Sequence, residues 1–207
     1  MDSRFLALPL VLSLGVAACG GSQPAPAPAG QEQPPAAAPA AAVDPATAAT
    51  INGKITLEGT APANQPIRMN ADPVCVRENK TPQTQETFMV GDGSSLGNVL
   101  VYVQDGLGGR TFTTPTAPVV LDQKACRYHP HVFGLMVGQA MQIVNSDPTL
   151  HNIHATPKTN KEFNTAQPIQ NMKTDHVFDV KEADTIVPFK CDVHGWMNAY
   201  AGVFDHP

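Results

Sequence analysis

Residues 188–200 read Pro-Phe-Lys-Cys-Asp-Val-His-Gly-Trp-Met-Asn-Ala-Tyr, and this stretch contains three potential metal ligands. Within it, Cys191, His194 and Met197 follow one another at intervals of three residues. A thiolate, an imidazole and a thioether form a soft set of sulfur and nitrogen donors. One further imidazole would complete the trigonal His₂Cys arrangement with a weak axial methionine that holds electron-transfer copper. The stretch therefore predicts a mononuclear copper site.

The second imidazole has to come from another part of the chain, and residues 147–154, Asp-Pro-Thr-Leu-His-Asn-Ile-His, offer two candidates. These are His151 and His154. Successive side chains of a β-strand point to opposite faces, so two histidines three residues apart cannot easily share one metal. We therefore expect His154 to be a structural or surface histidine.

The pattern Cys191-x₂-His194-x₂-Met197 resembles the short ligand loop of the amicyanin type in the cupredoxins, the blue copper proteins. The segment with His151 and Asn152 is similar to the one that supplies the first histidine in amicyanin and plastocyanin. The resemblance implies that these two histidines, the cysteine and the methionine bind one type-1 copper per chain. It also implies that Asn152 pins the cysteine loop.

The resemblance covers residues 118–204 well, whereas residues 51–110 match only as generic strands. It implies that the loop histidine, His194, reaches the surface through an apolar patch at which electrons enter and leave. Trp196 is a departure from the family, because it is a bulky residue inside the loop. Its ring is expected either in that patch or packed under the loop.

From residue 51 onward, short β-branched and aromatic runs alternate with turn residues, and this texture predicts an all-β protein. With the resemblance, the expected fold is a cupredoxin-like, Greek-key antiparallel β-sandwich. A helical turn is expected near residues 70–80. The predicted strands cover residues 53–57, 98–103, 119–122, 131–137, 141–145, 153–156, 176–180, 186–190 and 199–204.

The N-terminus has the layout of a secretory signal, with Arg4 before an apolar run that is too short to span a bilayer. Residues 16–19, Val-Ala-Ala-Cys, resemble the bacterial lipobox. That resemblance implies a signal peptide over residues 1–18, lipidation of Cys19, and a periplasmic lipoprotein of the cell envelope. No aspartate follows Cys19, which favours the outer membrane. The alternative is an ordinary signal peptide that contains a cysteine.

Residues 19–50 are rich in Ala and Pro and contain no aromatic residue. Such a segment cannot bury enough apolar surface to fold, and its Ala-Pro rhythm favours an extended spacer. We interpret it as a tether between the lipid anchor and a copper-binding domain at residues 51–207.

The four cysteines can each be given a use. Lipidation would use Cys19 and copper would use Cys191, which leaves Cys75 and Cys126. In an exported, oxidising compartment two remaining thiols usually pair, so we expect a disulfide between them.

A second metal site is the alternative use of Cys126, because it is followed closely by His129 and His131. Two histidines two residues apart in a strand face the same side and could chelate copper or zinc. The simpler interpretation is a disulfide cysteine followed by two histidines at a strand edge, with Pro130 marking an edge or bulge.

Taken together, these patterns predict a non-catalytic electron carrier. The resemblance to the cupredoxins implies redox proteins as its partners, such as c-type cytochromes or periplasmic oxidoreductases. Copper storage, buffering or delivery is the alternative function. Copper oxidases and nitrite reductases need extra coppers held by several His-x-His pairs, and this chain has one such pair. The formal net charge of −5 and the lack of a basic stripe argue against nucleic acid as a partner.

Overall fold

The computed structural model describes residues 51–108, 110–182 and 186–207. The predicted signal peptide (1–18), Cys19 and the tether (19–50) lie outside the described residues. Within the ranges that are described, no helix is both long enough and apolar enough to cross a membrane.

The first part of the described chain holds short elements. These are strand β1 (Pro66–Ile67), helix α1 (Pro73–Glu78), strand β2 (Gln83–Thr84) and a 3₁₀ turn (Asp92–Ser94). Helix α1 starts where the sequence favours a start, because Asp72 is its N-cap and Pro73 occupies its first position. Strands β1 and β2 pair with each other as a separate antiparallel ribbon.

The strands of the two main sheets follow from residue 119. They are β3 (Val119–Lys124), β4 (Arg127–His129), β5 (Val132–Met136), β6 (Ala140–Asn145), β7 (His151–Ala155), β8 (Phe163–Gln167), β9 (Lys173–Val177), β10 (Val187–Lys190) and β11 (Asn198–Phe204). One sheet has the order β5-β11-β10-β7-β8, and the other has the order β4-β3-β6-β9.

Both sheets contribute to one hydrophobic core. Leu121 and Ile143 from the four-stranded sheet and Ile153 and Phe189 from the five-stranded sheet are at most 1% exposed and belong to the same buried cluster. Strand β6 buries every second residue, as expected for a strand with one face against a core. The all-β sandwich predicted from the sequence is confirmed.

The sandwich is not purely antiparallel. Strand β5 pairs with β11 in parallel, and β3 pairs with β6 in parallel, while the other neighbours are antiparallel. The reason is the path of the chain. After the β3–β4 hairpin the chain enters the other sheet as β5 and then returns as β6, so β6 runs in the direction of β3.

Most strands predicted from residue 119 onward are confirmed, although the one predicted at residues 176–180 overlaps β9 only at residues 176 and 177. Residues 53–57 and 98–103 do not form strands, apart from an isolated bridge between Thr56 and Ser95. The apolar side chains of Val101 and Tyr102 remain exposed, so this β-branched and aromatic run does not mark a buried strand. The helical turn expected near residues 70–80 is confirmed as α1. Strands β4 and β8 were not predicted.

A disulfide ties the N-terminal part to the sandwich. Cys75 in α1 is bonded to Cys126, with an S–S distance of 2.00 Å, and both are fully buried. Cys126 lies in the tight turn between β3 and β4. The Asn79 side chain adds a second tie, because it donates hydrogen bonds to the carbonyls of Cys75 (2.8 Å) and Ala125 (3.0 Å). Helix α1 is therefore fixed against the β3–β4 turn.

Candidate metal centre

Two neighbouring strands bring the predicted ligands together. His151 is the first residue of β7, and Cys191 directly follows the last residue of β10. These strands are antiparallel, with Lys190 opposite His154. The end of β10 thus pairs with the end of β7, and the start of β7 lies beside the loop from Cys191 to Met197, which leads into β11.

The ligand atoms of His151, Cys191 and His194 converge in a buried position. Their donor atoms lie within 4.8 Å of one another. The Nδ1 atoms of the two histidines are 2.9 Å apart, and His194 Nδ1 is 4.0 Å from the Cys191 sulfur. The three residues are at most 3% exposed. The structure thus assembles one thiol and two imidazoles at a site closed to solvent.

Carboxylates determine which nitrogen of each imidazole faces this site. His151 Nε2 lies 2.9 Å from an oxygen of Asp147, and His194 Nε2 lies 3.0 Å from an oxygen of Asp72. An ionised carboxylate only accepts hydrogen bonds, so each Nε2 carries the proton. In the neutral imidazoles both Nδ1 lone pairs then point at each other across 2.9 Å. A cation bound by both nitrogens would satisfy this otherwise repulsive arrangement, so the donor set fits a metal ion.

The environment of Cys191 favours its thiolate. Burial raises the pKa of the thiol, but the close imidazoles of His151 and His194 and the backbone N–H groups of Asn152 and His194 lower it overall, from 9.0 to about 6. The backbone N–H of His194 lies 3.3 Å from the sulfur. Thiolates rather than thiols bind metals. Near neutral pH Cys191 is therefore mostly in the thiolate form that can bind a metal ion.

The same hydrogen bonds shift the pKa values of the first histidine and its carboxylate. Burial lowers the pKa of His151, but the bonds to Asp147 and Cys191 raise it overall. Burial raises the pKa of Asp147, but hydrogen bonds from His151 and from the N–H groups of Cys126 and Ala125 hold it below its usual range. Asp147 is therefore favoured as an ionised carboxylate that accepts a hydrogen bond from the Nε2–H group of His151.

Met197 lies in the same closed loop and is 1% exposed. The backbone N–H of Cys191 donates to the carbonyl of Met197 (3.2 Å), and the N–H of Met197 donates to the carbonyl of His194 (2.9 Å). These bonds hold the three loop residues in one compact turn.

Asn152 connects the two halves of the site. Its side-chain oxygen accepts a hydrogen bond from the backbone N–H of Asp192 (2.7 Å) and lies 3.2 Å from the Cys191 sulfur. Its backbone carbonyl accepts a hydrogen bond from the hydroxyl group of buried Tyr128. The structure therefore brings Asn152 against the cysteine loop and fixes it there from the other sheet.

The expectation that His194 reaches the surface is wrong. His194 is only 3% exposed, because Asp72 and the start of α1 cover its outer edge. Trp196 is half-buried against the core, its indole N–H donates to the carbonyl of Cys126 (3.0 Å), and its ring centre is 5.1 Å from that of His194. Of the two expectations for this ring, packing under the loop describes it better.

His154 lies away from the ligand cluster, on the opposite face of β7. Its ring bonds to Asp192 (2.9 Å) through Nδ1 and to Glu162 (2.7 Å) through Nε2. This position agrees with the structural or surface role expected for it.

The alternative metal cluster loses its cysteine, because Cys126 is bonded to Cys75. His129 ends the edge strand β4 and is exposed, whereas His131 is half-buried beside Glu86 (3.3 Å). Among the described residues, the groups of three or more ligand atoms that could hold a metal include neither histidine.

Sequence reasoning missed the two carboxylates behind the ligands. Asp147 lies four residues before His151, so a carboxylate close to a candidate ligand was visible in the sequence. Asp72 lies 122 residues before His194, and no local pattern connects them.

No protein-family model matches the chain, and no curated protein matches it in sequence. Solved structures similar to it include a copper-containing nitrite reductase from Thermus scotoductus SA-01, with 16% identity and a TM-score of 0.39. That match covers 49% of this chain and 25% of the reductase, so the chain spans about a quarter of that protein's length.

Two smaller proteins are also similar. A point mutant of amicyanin in the Cu(I) state has 17% identity and a TM-score of 0.36, over 42% of this chain and 81% of that one. A purple cupredoxin from Nitrosopumilus maritimus has 22% identity and a TM-score of 0.34, over 42% of this chain and 98% of that one.

Proposed function

We propose that this chain is a mononuclear type-1 copper protein that carries single electrons between redox partners. The observation that carries the proposal is the convergence of the Cys191 sulfur with the Nδ1 atoms of His151 and His194 at one buried position. One thiolate and two imidazoles are the trigonal donor set of electron-transfer copper, with Met197 as the weak axial ligand.

Copper would supply the one-electron Cu(II)/Cu(I) couple. The protein would supply a fixed frame, since His151 lies on β7 and Cys191 follows β10, its hydrogen-bonded neighbour. Ligands held by a sheet and by the Asn152 bond to the loop resist rearrangement between the two oxidation states. Burial of the three donors keeps water away from the metal, which favours rapid electron exchange without side reactions.

The sequence supports an envelope location for this carrier. In this proposal Cys19 is lipidated, residues 19–50 act as a tether, and the copper domain faces the periplasm. The redox partners would be proteins such as c-type cytochromes or periplasmic oxidoreductases. We propose a non-catalytic role, because the chain has a single His-x-His pair for any further copper.

A Cu(II) titration followed by visible absorption and EPR tests this function. The wild type should develop an intense thiolate-to-copper band that saturates at one copper per chain and that bleaches and returns over reversible one-electron cycles. Cys191→Ser and His151→Gln should lose the band. His154→Gln is the matched control, because His154 lies three residues from His151 but outside the ligand cluster, and it should keep the band.

A weak band that persists in Cys191→Ser, or binding of two or more coppers per chain, would contradict the carrier function. Either result would favour the alternative, in which the protein stores, buffers or delivers copper.

A further inference from the structure

The two histidines of the site share an unusual feature: each has its second nitrogen on an aspartate. His151 Nε2 bonds to Asp147 (2.9 Å) and His194 Nε2 bonds to Asp72 (3.0 Å). The side chains of Asp147 and Asp72 are only 4% and 17% exposed. Hydrogen bonds in such a protected setting are stronger than in water.

We propose that Asp72 and Asp147 are positioning residues for the copper site, which fix both imidazoles with Nδ1 towards the metal and strengthen them as donors to Cu(II). The inference rests on the copper function proposed above. Carboxylates behind metal-bound histidines fix the tautomer and ring orientation and raise the basicity of the ligand. Here the device is present twice in a single site.

Asp147 is held by the β3–β4 turn. One of its oxygens accepts the backbone N–H of Ala125 (2.8 Å), and the other accepts the N–H of Cys126 (2.7 Å) together with His151. Ala125 and Cys126 both have positive φ angles, 51° and 55°, which non-glycine residues seldom adopt. The carboxylate thus stabilises the turn and is itself fixed in direction towards His151.

Asp72 divides its two oxygens between the helix and the site. Oδ1 caps α1 by accepting the N–H of Val74 (2.7 Å), whereas Oδ2 accepts His194 and the hydroxyl of Thr149 (2.8 Å). Because Cys75 of the same helix is bonded to Cys126, Asp72 cannot move away from His194 without moving the disulfide. One covalent link therefore anchors the supports of both histidines.

The electronic consequence follows from the charge of the metal. A more basic imidazole stabilises Cu(II) more than Cu(I), because the ion with the higher charge gains more from a stronger donor. The two carboxylates should therefore lower the reduction potential of the copper, and removal of either should raise it.

The test compares Asp72→Asn and Asp72→Ser with the wild type and with Glu162→Gln. Asn and Ser are good N-caps, so α1 should be kept in both variants. Glu162 accepts Nε2 of His154 (2.7 Å) in the same kind of pair but outside the metal site, so Glu162→Gln is the matched control. Circular dichroism and thermal unfolding show whether each variant is folded.

We expect Asp72→Asn and Asp72→Ser to bind Cu(II) about 10- to 100-fold more weakly. If Cu(I) affinity stays the same, their reduction potential should rise by about 59 mV for each tenfold loss of Cu(II) affinity. Glu162→Gln should leave the potential unchanged. If a folded Asp72 variant keeps the wild-type potential and Cu(II) affinity, the inference is overturned.

A readout on the proton itself makes the test independent of variant stability. In ¹H–¹⁵N spectra of the wild-type Cu(I) protein, His194 should carry a slowly exchanging proton on Nε2. A proton on Nδ1, or a rapidly exchanging Nε2 proton, would refute the role of Asp72. If the wild type develops no thiolate-to-copper band, the copper function fails instead, which is a different result.

Discussion

At the scale of single residues, the Cys191 thiol is set apart by its protonation behaviour. Burial raises its pKa, but the neighbouring imidazoles of His151 and His194 and two backbone N–H groups lower it overall, from 9.0 to about 6. We predict that the ultraviolet thiolate absorption of the metal-free protein appears with a midpoint near the pKa of about 6, measured as the difference between wild type and Cys191→Ser. A midpoint close to the ordinary value of 9.0 would show that the histidines do not contact the sulfur.

His176 gives a second prediction, on stability. Its ring stacks on Phe163 (ring centres 3.8 Å apart) and meets Phe178 edge-on (4.7 Å). Burial there lowers its pKa below 6.5, and the charge of Asp179 offsets only part of this. His176 therefore binds a proton more tightly in the unfolded chain than in the folded protein. The stability that the fold gains from neutral His176 is complete above the ordinary pKa of 6.5. It is lost as the pH falls through the lower pKa of the folded state.

The measurement is the free energy of unfolding of wild type and His176→Gln at about pH 7.5 and about pH 5, which bracket the ordinary histidine pKa. The wild type should lose more stability on acidification than the variant. Equal losses in both proteins would mean that His176 is not protected from protonation by the fold.

The sequence was informative about ligands and less so about the residues behind them. The convergence of Cys191 and His194 could be predicted, because metal-binding loops keep their donors at short, fixed spacings. Asp72 could not, since it reaches His194 only through the packing of α1 on the sandwich, which a disulfide between cysteines 51 residues apart holds in place. The exposure expected for His194 failed for the same reason.

At the scale of elements, the sequence predicted several of the strands that bury one face on the core. Strand β6 is such a case, with every second residue buried. Residues 98–103 contain a continuous apolar run but form no strand, because no neighbouring strand pairs with this segment. A sequence that favours a β-strand forms one only where the fold provides a neighbouring strand to pair with and a core to pack against.

The disulfide between α1 and the β3–β4 turn should contribute strongly to stability. We predict that the double variant Cys75→Ser/Cys126→Ser loses about 4 kcal/mol of unfolding free energy, the chain-entropy value for a closed loop of this length. Denaturant unfolding of the variant and the wild type under identical conditions measures it. A loss below about 1 kcal/mol would contradict a large contribution of this disulfide to stability.

The same variant should also resemble Asp72→Asn in its copper properties. Release of α1 would remove Asp72 from His194, so the reduction potential should rise in the same direction. An unchanged potential would mean that Asp72 holds its place without the covalent link.

At the scale of the whole molecule, the composition of residues 19–50 predicts a tether followed by an independently folded copper domain. Proteinase K should therefore cut first within residues 19–50 and leave a fragment that begins near residue 51 and keeps the visible spectrum of the copper-loaded protein. First cuts inside residues 119–204, or loss of the spectrum on cleavage, would contradict this organisation.

The central claim is that Cys191, His151 and His194 together hold one copper ion, and X-ray absorption at the copper edge tests it most directly. For protein loaded with one copper per chain, the extended fine structure should show one short sulfur and two nitrogen scatterers. A copper bound only by nitrogen and oxygen, with no short sulfur, would contradict the account.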